Sequence, residues 1–194
     1  YGDPAAPDSE PQAEVMRQGV RTTDGQKRDF VHISFEGHDY WAQDYSIVVD
    51  ATPGVVMGSS AYLFNQPSPD AMGDRKLDIG TVVGILNASG NSDAGPYAAN
   101  YVRVNAYVQS RLLEGVYLAK DAVSILDRDM LTMQIYEKLN EKDSKGAPAL
   151  TDAVARKELF ETVMAFDMPD AVQDMFLELF QAEYPGEYPE EWQF

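Results

Sequence analysis

The hydrophobic period of this chain changes once, near residue 126, and that single switch limits the folds open to it. Before it, apolar residues recur every second position. "DFVHISF" puts Val31, Ile33 and Phe35 on one side and Phe30, His32 and Ser34 on the other, as a pleated strand requires. After it, they recur at helical spacing. "DRDMLTMQIYEKLNE" carries Leu131, Ile135 and Leu139 four residues apart. Strands followed by helices, not alternating with them, predict an α+β protein whose β part and α part form separate sub-domains.

Four stretches follow from this pattern. Residues 1–13, "YGDPAAPDSEPQA", are rich in Pro, Ala, Asp and Glu without an apolar run, and read as a flexible tether. Residues 14–50 hold a hairpin, "DFVHISF" and "YWAQDYSIV" joined by "EGHD". Residues 51–126 hold "GVVMGSSAYLFNQPS", "KLDIGTVVGIL" and "YVRVNAYVQSRLLEGVYLAKDAVSI", with "NASGNSDAGPYAAN" between as a loop. Residues 127–194 are predicted to form three helices with an acidic, aromatic tail. Asp127 and Thr151 are the candidate N-caps of the first two helices, and Pro169 falls near the first turn of the third. In the second helix Val154, Leu159, Phe160, Val163 and Met164 fall largely on one side. In the third Val172, Met175, Phe176, Leu179 and Phe180 do so. These stripes are expected to form core, either within a bundle or against the strands; the alternative is a groove for a partner helix.

The β part repeats itself. "FVHISF…EG…YWAQDYSIV" and "YVRVNAY…EG…VYLAKDAVSI" share an aromatic-Val-basic-branched start, a Glu-Gly turn, an aromatic strand and an Ala-x-Asp ending. Phe30 answers Tyr101, Val31 answers Val102, Gly37 answers Gly115 and Asp44 answers Asp121. The first copy has only "AEVMRQGVR" ahead of its hairpin, which could match the "TVVGIL" strand of the second.

These motifs, taken in order, resemble the bacterial SH3 (SH3b) family. "AYLFNQPSPDA" stands at the family's L-x-x-x-P-S opening, "KLDIGTVVGIL" at its L-x-x-G-x-x-V-x-V strand, "YVRV" at its aromatic-x-x-Val strand and "EGVYLAKDAV" at its closing G-x-x-G-W-V strand. The chain departs from the family at Tyr62-Leu63-Phe64, where Asn-Val-Arg is common, and at Tyr117, where the final Trp stands; the first copy keeps Trp41. The resemblance implies one complete small β-barrel over 51–126 and a partial copy over 14–50. It also implies a binding or scaffolding module of the bacterial cell envelope, outside the cytoplasm, with a protein or peptide partner. Some members recognise cell-wall peptides, so a peptidoglycan-targeting module is the alternative. The expected ligand face is aromatic: Tyr40 and Trp41 on the first copy, Tyr62, Phe64, Tyr101 and Tyr117 on the second. At least half of these rings are expected in barrel cores, and Trp41 is expected first as a packing residue.

Charge and composition narrow the function classes. Thirty-two Asp and Glu against fifteen Lys and Arg give a formal charge of −17, which disfavours nucleic acid and anionic lipid as partners. From Glu158 onward there are ten acidic residues and no Lys or Arg. No stretch approaches 18 apolar residues, so no transmembrane span is expected. The chain begins at Tyr1 with a tether, so a signal peptide or lipid anchor upstream is expected. Cysteine is absent, which excludes thiolate chemistry and disulfides. The two histidines, His32 and His38, lie on or beside one hairpin and are expected at the surface, not on a metal. No motif for a metal, a phosphate-binding loop, a dinucleotide or a serine nucleophile is found, so neither an enzyme nor a cofactor is expected. The remaining catalytic reading, a hydrolase with an Asp/Glu pair, would need two carboxylates at working distance in a cleft. Tyr184, Tyr188, Trp192 and Phe194 in "EYPGEYPEEWQF" are expected to dock on the domain itself.

Overall fold

Among the described residues there are ten strands, most of them rich in β-branched and aromatic residues, and three helices built on the helical periods. The computed structural model describes residues 13–21, 27–35, 38–43, 48, 51–86, 96–108 and 111–186. The chain divides into two units: residues 1–51 with 107–113, and residues 52–106 with 114–194.

In the first unit, β1 (Ala13–Arg21), β2 (Lys27–Phe35) and β3 (His38–Gln43) form an antiparallel sheet in sequence order. The β2–β3 register runs unbroken from Phe30↔Gln43 to Phe35↔His38, so His32 faces Trp41 and Ile33 faces Tyr40. The β1–β2 register shifts between Glu14 and Gln18, a bulge of the kind that bends a strand.

The second sheet has seven strands: β4 (Ala51–Val56), β5 (Tyr62–Phe64), β6 (Met72–Lys76), β7 (Val82–Leu86), β8 (Tyr101–Val108), β9 (Arg111–Ala119) and β10 (Val123–Ser124). Their order is β10-β4-β7-β8-β9-β5-β6, a curled antiparallel half-barrel. The last strand returns to the first, with Val123 opposite Val56 and Ser124 opposite Val55. Between β9 and β10 lies one 3-10 turn, Lys120–Ala122. Its Ala122 carbonyl accepts from the Met57 and Gly58 amides at 2.9 and 3.2 Å, which fixes the closing strand on β4. Val56, Leu63, Leu77, Val83, Val104, Ala106 and Leu118 fill the inside of the curl.

The helices are α1 (Asp127–Asn140), α2 (Ala153–Met164) and α3 (Asp170–Glu183). They share one core with β4: Val55 and Met57 join Met133, Leu139, Phe160, Val163, Val172, Phe176 and Phe180. Both faces of β4 are therefore covered, Val56 inward and Val55 and Met57 toward the helices. That explains why Val55-Val56-Met57 runs apolar without alternating. Gly80, in the turn before β7, has φ +86°, and a Cβ there would stand 2.8 Å from the Met133 methyl. Glycine meets both demands, so the turn seats directly on α1.

The helix starts differ from expectation by one residue each. Leu126 occupies the α1 cap position without a side-chain bond, and Asp127 is the first helical residue. There it meets the positive end of the helix dipole instead of capping it. Asp152, not Thr151, caps α2: its Oδ1 accepts from the Val154 and Ala155 amides at 2.9 and 3.3 Å. Pro169 immediately precedes α3, where its fixed φ and missing N–H cost nothing. Two stripe members are corrected. Val154 is 68% exposed, and Leu131 is exposed while Ile135 and Leu139 are buried. Val154 lies in the first turn of α2.

Arg156 is the one buried cation of the helical part among the described residues. Its Nε donates to Glu183 Oε1, its Nη1 to the Leu150 carbonyl at 3.3 Å and its Nη2 to the Leu139 carbonyl at 2.8 Å. One guanidinium thus joins the end of α1, the α1–α2 connection, α2 and the end of α3.

Candidate functional site

A strand buries one face and offers the other, so binding residues are sought where the outward face carries rings. On β8 the inward positions are Val104 and Ala106, which leaves Tyr101, Arg103 and Asn105 outward. On β9 Leu118 is inward and Tyr117 outward. Phe64 of β5 stands opposite Tyr117. Its ring meets that of Tyr101 edge to face at 5.0 Å. Phe64, Tyr101 and Tyr117 therefore form one aromatic patch on the outside of β5, β9 and β8. Tyr117 is its floor, 9% exposed, while Phe64 and Tyr101 are half-buried. Tyr62, two residues before Phe64, is 37% exposed at the patch margin, and Met72 opposite Phe64 is exposed.

Next to the rings lies a polar arrangement. Gly115 interrupts β9 with φ +64°, and its amide donates to Asn105 Oδ1 at 2.8 Å. The Glu-Gly pair of the second repeat is therefore not a hairpin turn, as expected from the first copy; it lies inside the strand. The Arg103 guanidinium lies against Gly115, so close that a Cβ there would stand 2.7 Å from Nη2 and 3.0 Å from Nε. Arg103 Nε is buried and has no hydrogen-bond partner among the described residues.

The three-stranded sheet carries the other expected rings. Trp41 is 51% exposed and Tyr40 50% exposed. The first-rank expectation that Trp41 packs away is thus corrected: half its surface is open. Its ring leans on His32 at 4.9 Å, and His32 Nε2 is 3.3 Å from Asp39. An indole flanked by an imidazole and a carboxylate has an apolar face and hydrogen-bonding edges in one place. Of the six rings expected from the sequence, the structure joins Phe64, Tyr101 and Tyr117, sets Tyr62 beside them, and leaves Tyr40 and Trp41 on the other unit.

Sequence reasoning missed Arg103, although it lies in the repeated "YVRV", because a basic residue on an outward strand face is ordinary. It also missed the strand β6, whose "MGDRK" has no apolar alternation. Within the acidic tail, Tyr184 packs edge to face on Phe160 at 6.4 Å and beside Phe180 at 4.8 Å. Tyr188, Trp192 and Phe194 lie outside the described residues. A shallow hollow beside α2, lined by Val154, Lys157, Glu161 and Tyr184, is open to solvent. Among the described residues no three His, Asp or Glu side chains converge as a metal site, and no helix is long and apolar enough to cross a membrane. Comparison of the chain with protein-family models, curated proteins and solved structures finds no match.

Proposed function

We propose that the chain is a non-catalytic binding module of the bacterial cell envelope, built on an SH3-like barrel, that takes a protein or peptide partner. Support for the barrel comes from the strand order. The meander β7-β8-β9, the single 3-10 turn before the closing strand and the return of β10 to β4 are the arrangement such a barrel needs. The first unit offers the same three-strand meander, β1-β2-β3, in agreement with a partial copy.

The observation that carries the binding role is the outward aromatic patch of Phe64, Tyr101 and Tyr117 with Tyr62 at its margin. Rings on an outer sheet face have no role in the inner core, and they bury large area with few rotamers to freeze. The test is panning a displayed peptide library against the purified chain. Enriched peptides that lose at least tenfold affinity on Tyr62→Ala support the reading, whereas enrichment of nothing, or indifference to Tyr62→Ala, counts against this face.

Half-exposed Trp41, with His32 and Asp39 beside it, favours a second reading, a peptidoglycan-targeting module. Co-sedimentation with purified cell wall that is lost on Trp41→Ala would support it; no sedimentation would sink it.

A further inference from the structure

Resting on the peptide-binding reading, we infer that the outer face of β8 and β9 is a carboxylate site, with Arg103 as the anion receptor and Phe64 and Tyr101 as the apolar wall. Three observations carry this. The first is the missing partner. The chain holds 32 acidic residues, yet among the described residues none pairs with Arg103, and its buried Nε has no acceptor. A covered N–H without an acceptor is unfavourable, so an acceptor that reaches it gains more than the same contact would gain in water.

The second is how the guanidinium is held. It lies against Gly115, where the absence of a Cβ leaves it room, and Asn105 fixes that glycine through the 2.8 Å bond to its amide. A pre-set planar fork suits the two oxygens of a carboxylate, which an ammonium cannot match. The third is charge. Between residues 51 and 126 five Lys and Arg stand against six Asp and Glu, so the sheet is nearly neutral while the flanking stretches carry almost all the chain's negative charge. An anionic peptide is repelled least there. The adjacent rings of Phe64 and Tyr101 select for an apolar or aromatic residue next to the acid.

A peptide carboxylate is either its C-terminus or an Asp or Glu side chain, and three probes separate them. Acetyl-Ala-Phe-Ala with a free C-terminus, the same tripeptide as its amide, and acetyl-Ala-Phe-Glu-amide are titrated into the 15N-labelled full chain, following the Arg103 side-chain Nε–H signal and the Gly115 amide. The expected result is that both signals shift with one of the two acids. That acid should bind at least about tenfold tighter than the neutral amide, the change expected for a hydrogen bond to a charged group. Arg103→Gln and Arg103→Lys should both remove the difference, the lysine because it keeps the charge without the fork. Thermal unfolding of each variant, unchanged from the parent, shows that the fold is intact. Equal binding of acid and amide, or acid binding that survives Arg103→Gln, overturns the carboxylate site while leaving peptide binding in place. No shift with any probe also overturns it, and the library result stands or falls separately.

Discussion

Two arginines of this chain meet opposite fates. Arg156, in the helical part, is buried, and all three of its nitrogens donate to the protein. Arg103, on the outer face of the sheet, is half-buried, and its Nε has no partner among the described residues. The guanidinium of the helical region is met at every nitrogen, whereas the one on the sheet leaves its Nε open beside aromatic rings; Glu183 Oε2 is the other buried polar atom without a partner among the described residues. A charge held by three acceptors is doing structural duty, and replacing it should disturb the fold. A charge left without an acceptor can be replaced at little cost to the fold. The contrast thus separates residues that hold the molecule together from residues available to a ligand.

The strongest way to break this contrast is to remove both charges. Arg156→Ala leaves the partly buried Glu183 without its cation and two carbonyls without donors, and should cost about 3 kcal/mol in urea unfolding. Arg103→Gln should cost less than about 1 kcal/mol, since no bond is lost. Equal losses would erase the distinction. The pair itself is a test of what Arg156 contributes. Arg156→Met combined with Glu183→Leu should recover most of the loss, because the penalty lies in the unpaired partner and not in the absence of the ion pair.

The positive-φ glycine in β9 comes next. Gly115→Ala forces a side chain into the left-handed region and into the Arg103 guanidinium, and should destabilise by about 1–2 kcal/mol. Adding Arg103→Ala should return the steric part and leave the backbone part. Strict additivity of the two would mean that Arg103 does not rest on Gly115. Smaller still is the α2 cap: Asp152→Ala removes the acceptor of the Val154 and Ala155 amides and should cost about 1 kcal/mol, read in the same unfolding experiment.

How much of this was legible in the sequence follows the range of the interactions. Strand and helix existence is written in local period, so the order of β meander and helices could be read, along with Pro169 at the start of α3. Features set by long-range packing could not. Gly115 reads as a turn by analogy with Glu36-Gly37 of the first copy; only the structure places the same dipeptide inside a strand, its amide held by Asn105. The double burial of β4 depends on helices that begin some seventy residues later. Arg156 gave no sign of burial, since Glu183 is 27 residues away. The one local hint was that Arg156 and Lys157 are the last cations before a wholly acidic stretch. An alternating pattern does not state which face a partner strand will cover, so Tyr117 as floor and Trp41 as half-open became visible only in three dimensions.

The smallest expected effect lies on the helical side and appears only in alkali. Tyr136 packs edge to face on Phe176 at 5.3 Å. Burial, and after it the Glu178 carboxylate, push its phenol above the ordinary value of 10.0. The folded protein therefore keeps this proton to a higher pH than the unfolded chain does. Below pH 10.0 both states are protonated and the contribution is fully present; above it the unfolded state ionises first, and stability falls until the folded phenol titrates as well. Tyr136→Phe removes that component, so the variant should lose less stability than the parent on going from neutral pH to above pH 10.0, in urea unfolding at matched pH. Because the other tyrosines are common to both proteins, the difference between the two curves reports Tyr136 alone. Parallel curves would mean that the phenol is as well hydrated as in the unfolded chain. The contrast between the two regions would then rest on the arginines only.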